Sequence, residues 1–335
     1  MNTTTSQIID SFGRSHTYLR ISLTERCNLR CTYCMPADGV KLSPRSHIMN
    51  AEEVIGIARE FVALGVTRIR LTGGEPLIKK GIDRILEGLS QLKVDLSITT
   101  NGLVLEKYIA LLKATGVQRL NISIDTLNRE KFEIITRRDR YTAVMDVIQK
   151  VSNDPFFKVK LNAVLIKGFN DSEIIDFIEL TKNMNLSMRF IEFMPFDGNR
   201  WNMDKLVSQD EILSIVHQYY QQENIIRLKD QKNDTARNYQ IRGHKGSFAI
   251  ISTVTNPFCD TCNRIRLTAN GHIKNCLFSS GETDLLTSYR NGEDIKPLIQ
   301  QNISTKKKSR GGLITDEAFN NPDNHKNRSM IMIGG

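Results

Sequence analysis

No apolar run in the 335 residues approaches the roughly 20 that a membrane helix needs, so the chain is not expected to span a bilayer. Met1 to Ile9 lack both a basic residue and an apolar stretch. That excludes the pattern of a secretory signal or an Arg-rich transit peptide, and the expected compartment is the cytoplasm, where disulfides are rare. No repeat of fixed period is present, which argues against a solenoid or propeller. No histidine–carboxylate arrangement stands out as a general acid–base pair. What is there is ordinary in bulk: 40% hydrophobic and 25% charged residues exclude global disorder. The formal charge of +9 suits nucleic acid, a membrane surface or an anionic small substrate. Part of it sits in Lys306-Lys307-Lys308 with Arg310 behind, a run that reads as a solvated segment without a catalytic role.

From Leu19 to Met194, short β-branched runs alternate with longer amphipathic ones. The strands are expected at Leu19–Leu23, Arg68–Leu71, Asp95–Thr99, Leu120–Ile124, Val159–Ile166 and Met188–Phe193. Helices are expected at Ala51–Leu64, Ile82–Leu92, Leu105–Ala114, Ala143–Val151 and Asp171–Asn183. Asn50 before Ala51-Glu52-Glu53 is a helix N-cap signal, and Gly65 and Gly116 are C-cap signals. Six βα units imply a parallel sheet, either curled into a barrel or open and doubly wound, with the active site at the C-terminal strand ends. After Trp201 the pattern changes. A helix at Ser208–Tyr220 precedes strand-like runs at Arg237–Ile241, Ser247–Ser252, Arg264–Thr268 and His272–Cys276, the last two joined by a hairpin turn at Asn270-Gly271. Asn302 to Arg328 reads as irregular.

The six cysteines fall into two triplets. Cys27-x3-Cys31-x2-Cys34 follows the first strand. A disulfide framework, a zinc site and an iron–sulfur cluster compete for it. Zinc needs a fourth ligand, whereas a cubane on three thiolates leaves one iron open for chemistry. Cys259-x2-Cys262-x13-Cys276 is also one ligand short, with a zinc ribbon completed by His272 as the alternative. Thr72-Gly73-Gly74-Glu75-Pro76 ends the second strand with paired glycines, which let backbone approach a ligand closely.

The first triplet, with Tyr33 before its last cysteine, resembles the radical S-adenosylmethionine (SAM) superfamily. The resemblance implies an α/β fold, a partial (β/α)6 TIM-like barrel, and a [4Fe-4S] cluster whose open iron chelates SAM. It implies SAM contacts at Tyr33, Gly73, Gly74, Glu75, Ser123 and Met194. The second triplet within Phe258-Cys259-x2-Cys262-Asn263-Arg264-x-Arg266-Leu267, together with the terminal Gly334-Gly335, is similar to the GTP 3′,8-cyclase family of molybdenum cofactor biosynthesis. Near Asp234-Thr235-Ala236 and Met194–Trp201 it looks more like the catalytic part of animal members than like bacterial ones with Gly-Pro-Ala.

That resemblance implies a radical SAM core at 13–200 and a C-terminal α+β region at 201–335 that carries a second [4Fe-4S] cluster. It implies GTP contacts at Arg20, Arg70, Thr99, Lys160, Arg189, Arg264 and Arg266, and catalytic roles for Arg20, Arg264, Arg266, Gly334 and Gly335. The implied reaction abstracts the ribose 3′ hydrogen of GTP and closes a 3′ carbon–C8 bond. It calls for an external one-electron reductant and a separate downstream pyranopterin monophosphate synthase. The chain is expected to act as a monomer or homodimer, without membrane or nucleic acid. Two alternatives stay open: a radical SAM enzyme acting on a peptide, and a metal-stabilised nucleic-acid-binding protein.

Overall fold

The structure, a computed structural model, describes residues 7–35, 39–325 and 328–334. Gly335 lies outside the described residues. The first half runs β1 (Tyr18–Ser22), α1 (Ala51–Ala63), β2 (Arg68–Thr72), α2 (Ile82–Ser90), β3 (Asp95–Thr100), α3 (Ile109–Ala114) and β4 (Arg119–Ser123). It continues through α4 (Arg129–Thr136), α5 (Tyr141–Ser152), β5 (Lys158–Leu165), α6 (Ile174–Asn183) and β6 (Leu186–Glu192). The second half holds α7 (Gln209–Tyr219), β7 (Ile225–Arg227), β8 (Arg237–Ile241), β9 (Ser247–Ile251), β10 (Arg264–Leu267), β11 (His272–Lys274) and β12 (Thr283–Asp284). Four helices close it: α8 (Leu286–Arg290), α9 (Lys296–Ser304), α10 (Asp316–Asn320) and α11 (Met330–Ile333).

All strands join one sheet in the order β12-β11-β10-β1-β2-β3-β4-β5-β6-β9-β8-β7. From β10 to β9 every neighbouring pair is parallel; the antiparallel pairs lie at the two ends. The C-terminal half thus returns to both edges of the six-strand N-terminal sheet. Alternation explains the layering. Leu19, Ile21, Ile69, Leu71, Ile98, Leu120, Ile122 and Leu161 are fully buried and share one core with Val54, Ile57 and Phe61 of α1. Their strand neighbours, on the opposite face, are polar. Helix α1 starts as expected: the Asn50 side chain accepts from the Glu53 N–H and the Glu53 carboxylate accepts from the Asn50 N–H, both at 2.8 Å.

Several expectations need correction. The hairpin between β10 and β11 forms, but only Gly271 takes a positive φ (75°), and Thr268 N–H donates to the His272 carbonyl across a three-residue loop. β11 stops at Lys274, so Cys276 lies beyond the strand instead of ending it. The stretch from Asn302 to Arg328 is not irregular throughout. It contains the end of α9 and all of α10, whose Thr315 N-cap accepts from the Ala318 N–H. Helix α4 escaped the periodicity reading because it is short.

Where β9 enters the sheet, Gly246 has no room for a side chain: a Cβ would lie 2.2 Å from the Leu186 carbonyl oxygen and 2.8 Å from that of Met184. Gly246→Ala is expected to destabilise the protein by about 1–3 kcal/mol, read as a lower denaturation midpoint in urea. A midpoint equal to that of the parent protein would contradict the packing described for this edge.

Candidate functional site

One face of the parallel sheet carries charge. The register aligns Arg20 of β1 with Arg70 of β2 on one side and Arg266 of β10 on the other. It aligns Thr99, Asn121 and Lys160 across β3, β4 and β5, and Asn162 with Arg189 on β6. Because side chains alternate, these positions point away from the helix-packed core. Arg20, Arg70, Thr99, Lys160, Arg189, Arg264 and Arg266 all line one cavity of about 340 Å³. Ser123, Ile191 and Ile251 complete the run, so eight adjacent strands touch the same space.

Among the described residues none of these cations is paired with a carboxylate. The buried Nε atoms of Arg20, Arg70 and Arg189 find no hydrogen-bond partner in the protein, nor do the Tyr18 hydroxyl and Thr99 Oγ1. The guanidinium groups of Arg20, Arg68 and Arg70 instead surround the Tyr18 ring at 5.5–5.6 Å, and Arg264 sits 4.6 Å from the centre of Phe258. Burial, then the fields of Arg189 and Arg70, push Lys160 down to about 7. Burial and neighbouring cations likewise lower Arg70 to about 9 and Arg264 to about 10. Arg266 is pushed down by the same causes; its guanidinium donates to the Gly334 carbonyl at 2.7 Å. A cluster of unpaired, mutually repelling cations in a cavity is complementary to a polyanion.

The first cysteine triplet sits at the cavity wall on the loop after β1. Gly74 fits because it has no side chain: a Cβ there would lie 2.2 Å from the Arg26 carbonyl oxygen and 3.1 Å from the Cys27 nitrogen. Gly73 has φ 148°, a value L side chains rarely adopt. Asn101 Nδ2 reaches Cys27 Sγ at 3.6 Å and Asn28 Oδ1 at 2.8 Å. Tyr33 donates to Asp125 Oδ2 at 2.9 Å, and Asp125 Oδ1 accepts from the Val164 N–H. Burial raises Asp125 to about 6 despite those two donors.

The second triplet lines the same cavity beside β10, the neighbour of β1: the first triplet follows the end of β1, whereas Cys259 and Cys262 precede the start of the parallel β10. Cys262 closes a short turn on Cys259 (N–H to carbonyl, 3.1 Å). Arg14, held by Asp10 at 2.6 Å, donates to the carbonyls of Cys259, Lys307 and Lys308. Burial alone would raise the Cys262 thiol, but the charges of Lys306 and Arg264 bring it down to about 7. Cys31 and Cys34 go the other way, pushed up by burial and nearby negative groups, Cys34 to about 12.

Each triplet offers three free cysteines, the donor type that a cubane takes with one thiolate per iron.

The fold gathers nearly all the expected site residues. Tyr33, Gly73, Gly74, Ser123, Met194 and both triplets line the cavity. Glu75 does not. It is fully buried behind the wall, accepting from the N–H groups of Asn101 and Leu77 and from Thr100 Oγ1, so it braces the loops instead of facing a ligand. Gly334 is no lining residue, but a Cβ on it would meet Thr72 Oγ1 at 2.4 Å and Ser22 Cβ at 2.9 Å, so it packs tightly at the ends of β1 and β2 on the face that carries Arg20 and Arg70. Sequence reasoning missed Tyr18, Asn101 and Asp125, each of which lies one or two residues outside an expected strand (Leu19–Leu23, Asp95–Thr99 and Leu120–Ile124). It also misread Lys306, which is buried against the second triplet.

The radical SAM superfamily model matches residues 21–181, and the Molybdenum Cofactor Synthesis C model matches 186–311. "GTP 3′,8-cyclase, mitochondrial" of Arabidopsis thaliana is 45% identical over all of this chain and 85% of its own length. "GTP 3′,8-cyclase" of Peptoclostridium acidaminophilum is 41% identical, with 98% and 99% of the two chains covered. "Molybdenum cofactor biosynthesis protein 1" of Bos taurus is 43% identical over 97% of this chain, which spans about half of that longer protein. Among solved structures, Streptococcus suis SuiB superposes with a TM-score of 0.64 at 16% identity, over 88% of this chain and 68% of that one, a likeness of fold.

The opposing fields on the six thiols order their reactivity. In iron-free protein at neutral pH, Cys262 is expected to alkylate faster than Cys34 and Cys31, read by mass spectrometry after limited iodoacetamide treatment. Equal rates, or Cys34 first, would contradict the electrostatics described.

Proposed function

From the membership of this chain in the radical SAM GTP 3′,8-cyclase family, enzymes of the first step of molybdenum cofactor biosynthesis, we propose a division of labour among its residues. Residues 13–200 form the radical SAM core and 201–335 carry a second cluster and complete the GTP site. The core is an incomplete (β/α)6 barrel. Support comes from the shared cavity: eight flat strands would spread over roughly 33 Å at their usual spacing, too wide to meet one pocket.

Cys27, Cys31 and Cys34 hold the first [4Fe-4S] cluster, with SAM against Tyr33, Gly73, Gly74, Ser123 and Met194. Bound there, cluster and SAM supply a 5′-deoxyadenosyl radical. Cys259, Cys262 and Cys276 would hold the second [4Fe-4S] cluster, at the end of the site that would receive the guanine. The observation that carries the reading is the set of unpaired cations on the sheet face between the two triplets. Arg20, Arg70, Lys160 and Arg189 clamp the triphosphate, with Thr99 beside them. Arg264 and Arg266 reach the nucleotide from β10, and Arg266 also fixes Gly334.

Catalysis then rests on positioning. The ribose 3′ carbon must approach C8 closely, and anchoring both ends of GTP converts ring closure into an intramolecular step. Apolar side chains that line the cavity, among them Leu29, Val164, Ile191, Ile251, Leu277 and Met330, limit the access of water to the substrate. No side chain is required as a general base. An outside one-electron donor is needed, and the cyclised nucleotide passes to the next enzyme of the pathway.

Reconstituted protein given SAM, reductant and GTP is expected to form 5′-deoxyadenosine and 3′,8-cyclised nucleotide together. Deoxyadenosine without the cyclised product would sink the substrate assignment. Arg70→Met is expected to weaken GTP binding about 10- to 100-fold, the loss of one charged hydrogen-bonding partner.

Lys160 adds a pH signature. Its pKa in the free protein is about 7 and the triphosphate favours its charged form, so binding takes up a proton above pH 7. GTP affinity should therefore fall by up to about tenfold per pH unit as pH rises from 7, and Lys160→Met should flatten that slope. Calorimetry across pH 7–9 checks this; an unchanged slope in the variant counts against Lys160 as a phosphate contact.

A further inference from the structure

The Lys306-Lys307-Lys308 run looks uniform in sequence, but the structure divides it. Lys307 and Lys308 are exposed, whereas Lys306 is 4% exposed. Its ammonium donates to the Arg264 carbonyl at 3.0 Å and to Cys262 Sγ at 3.5 Å. Burying a lysine sacrifices side-chain entropy and removes a charge from water. Among the described residues no carboxylate pairs with it. The acceptors it faces are a carbonyl and a sulfur.

Its place is fixed from several directions. The Lys306 N–H closes the end of α9 on the Ile303 carbonyl at 3.0 Å. Arg14, locked by Asp10, takes the next two carbonyls and that of Cys259. Four residues on, the Arg310 N–H donates to Cys259 Sγ at 3.4 Å, and its guanidinium donates to the Val254 carbonyl at 2.8 Å. Two of the three sulfurs of the second triplet thus receive N–H donors from a single five-residue segment, and one donor is a full positive charge.

A donor aimed at a ligating sulfur stabilises negative charge on that sulfur. An iron–sulfur cluster gains negative charge when reduced, and hydrogen bonds to its sulfurs set its potential. Resting on the reading that the second triplet holds a [4Fe-4S] cluster, we infer that Lys306 is a positioning residue that stabilises the reduced form of that cluster through Cys262. Arg310 contributes through its backbone and not its charge, which is drawn off to Asp316 at 3.0 Å.

The test uses the full-length chain with Cys27, Cys31 and Cys34 replaced by serine, so that only the second centre can form. Iron per chain is counted after anaerobic reconstitution, and the midpoint potential is read by electron paramagnetic resonance during redox titration. With Lys306 intact, about four irons per chain are expected. Lys306→Met should keep that iron and shift the midpoint to a more negative value; Lys306→Arg should bring it back toward the parent. Full iron with an unmoved midpoint in Lys306→Met would overturn the inference and leave Lys306 a structural group. Loss of iron in Lys306→Met, restored by Lys306→Arg, would also overturn it, assigning the amine to cluster assembly. No iron in the chain with Lys306 intact would overturn the cluster reading beneath it, an outcome the iron count separates from the others.

Discussion

Arg20, Arg70, Lys160, Arg189, Arg264 and Arg266 face one space, and among the described residues none forms an ion pair with a carboxylate, although Asp234 lines the same cavity and its field reaches Lys160 and Arg189. Like charges this close oppose the folded state. They are tolerated because the strand backbone leaves them no alternative: the opposite face of each strand is fully buried under helices, and a shift by one residue would put charge into that core. The parallel register therefore fixes the cavity charge, and that charge fixes the class of ligand. A bound triphosphate relieves the repulsion and should stabilise the fold by mass action.

The two cysteine triplets gain their meaning from the same sheet. β10 lies directly beside β1, so the loop after β1 and the turn before β10 frame one cavity, although Cys27 and Cys276 stand far apart in sequence. Their electrostatic settings differ. Burial first, and then Asp125 and neighbouring cysteines, push the Cys31 and Cys34 thiols up, while Lys306 and Arg264 pull Cys262 down against its burial. On the proposed assignment, the first triplet would serve a cationic sulfonium and the second a neutral base joined to a polyanion.

Much of this was legible in sequence where periodicity and spacing carry it. The six strands, the helices of at least nine residues between them and the triplets follow from alternation and cysteine count. Arg20, Arg70 and Lys160 could be placed inward because charge within an apolar strand needs a reason. What escaped reading depends on tertiary contact. Glu75 looks like a ligand contact because it adjoins two glycines, yet its carboxylate is turned inward onto three donors. Lys306 looks solvated because two lysines follow it, yet α9 ends beside the second triplet and buries it. Cys276 reads as the end of a strand, but β11 releases the chain two residues earlier.

The account is tested most directly by an anaerobic crystal structure of the reconstituted protein with SAM and GTP. It predicts the triphosphate against Arg20, Arg70, Lys160 and Arg189, the guanine toward Cys259, Cys262 and Cys276, and SAM beside Tyr33 and Gly74. A triphosphate bound outside this cavity, with the strand cations still unpaired, would contradict it.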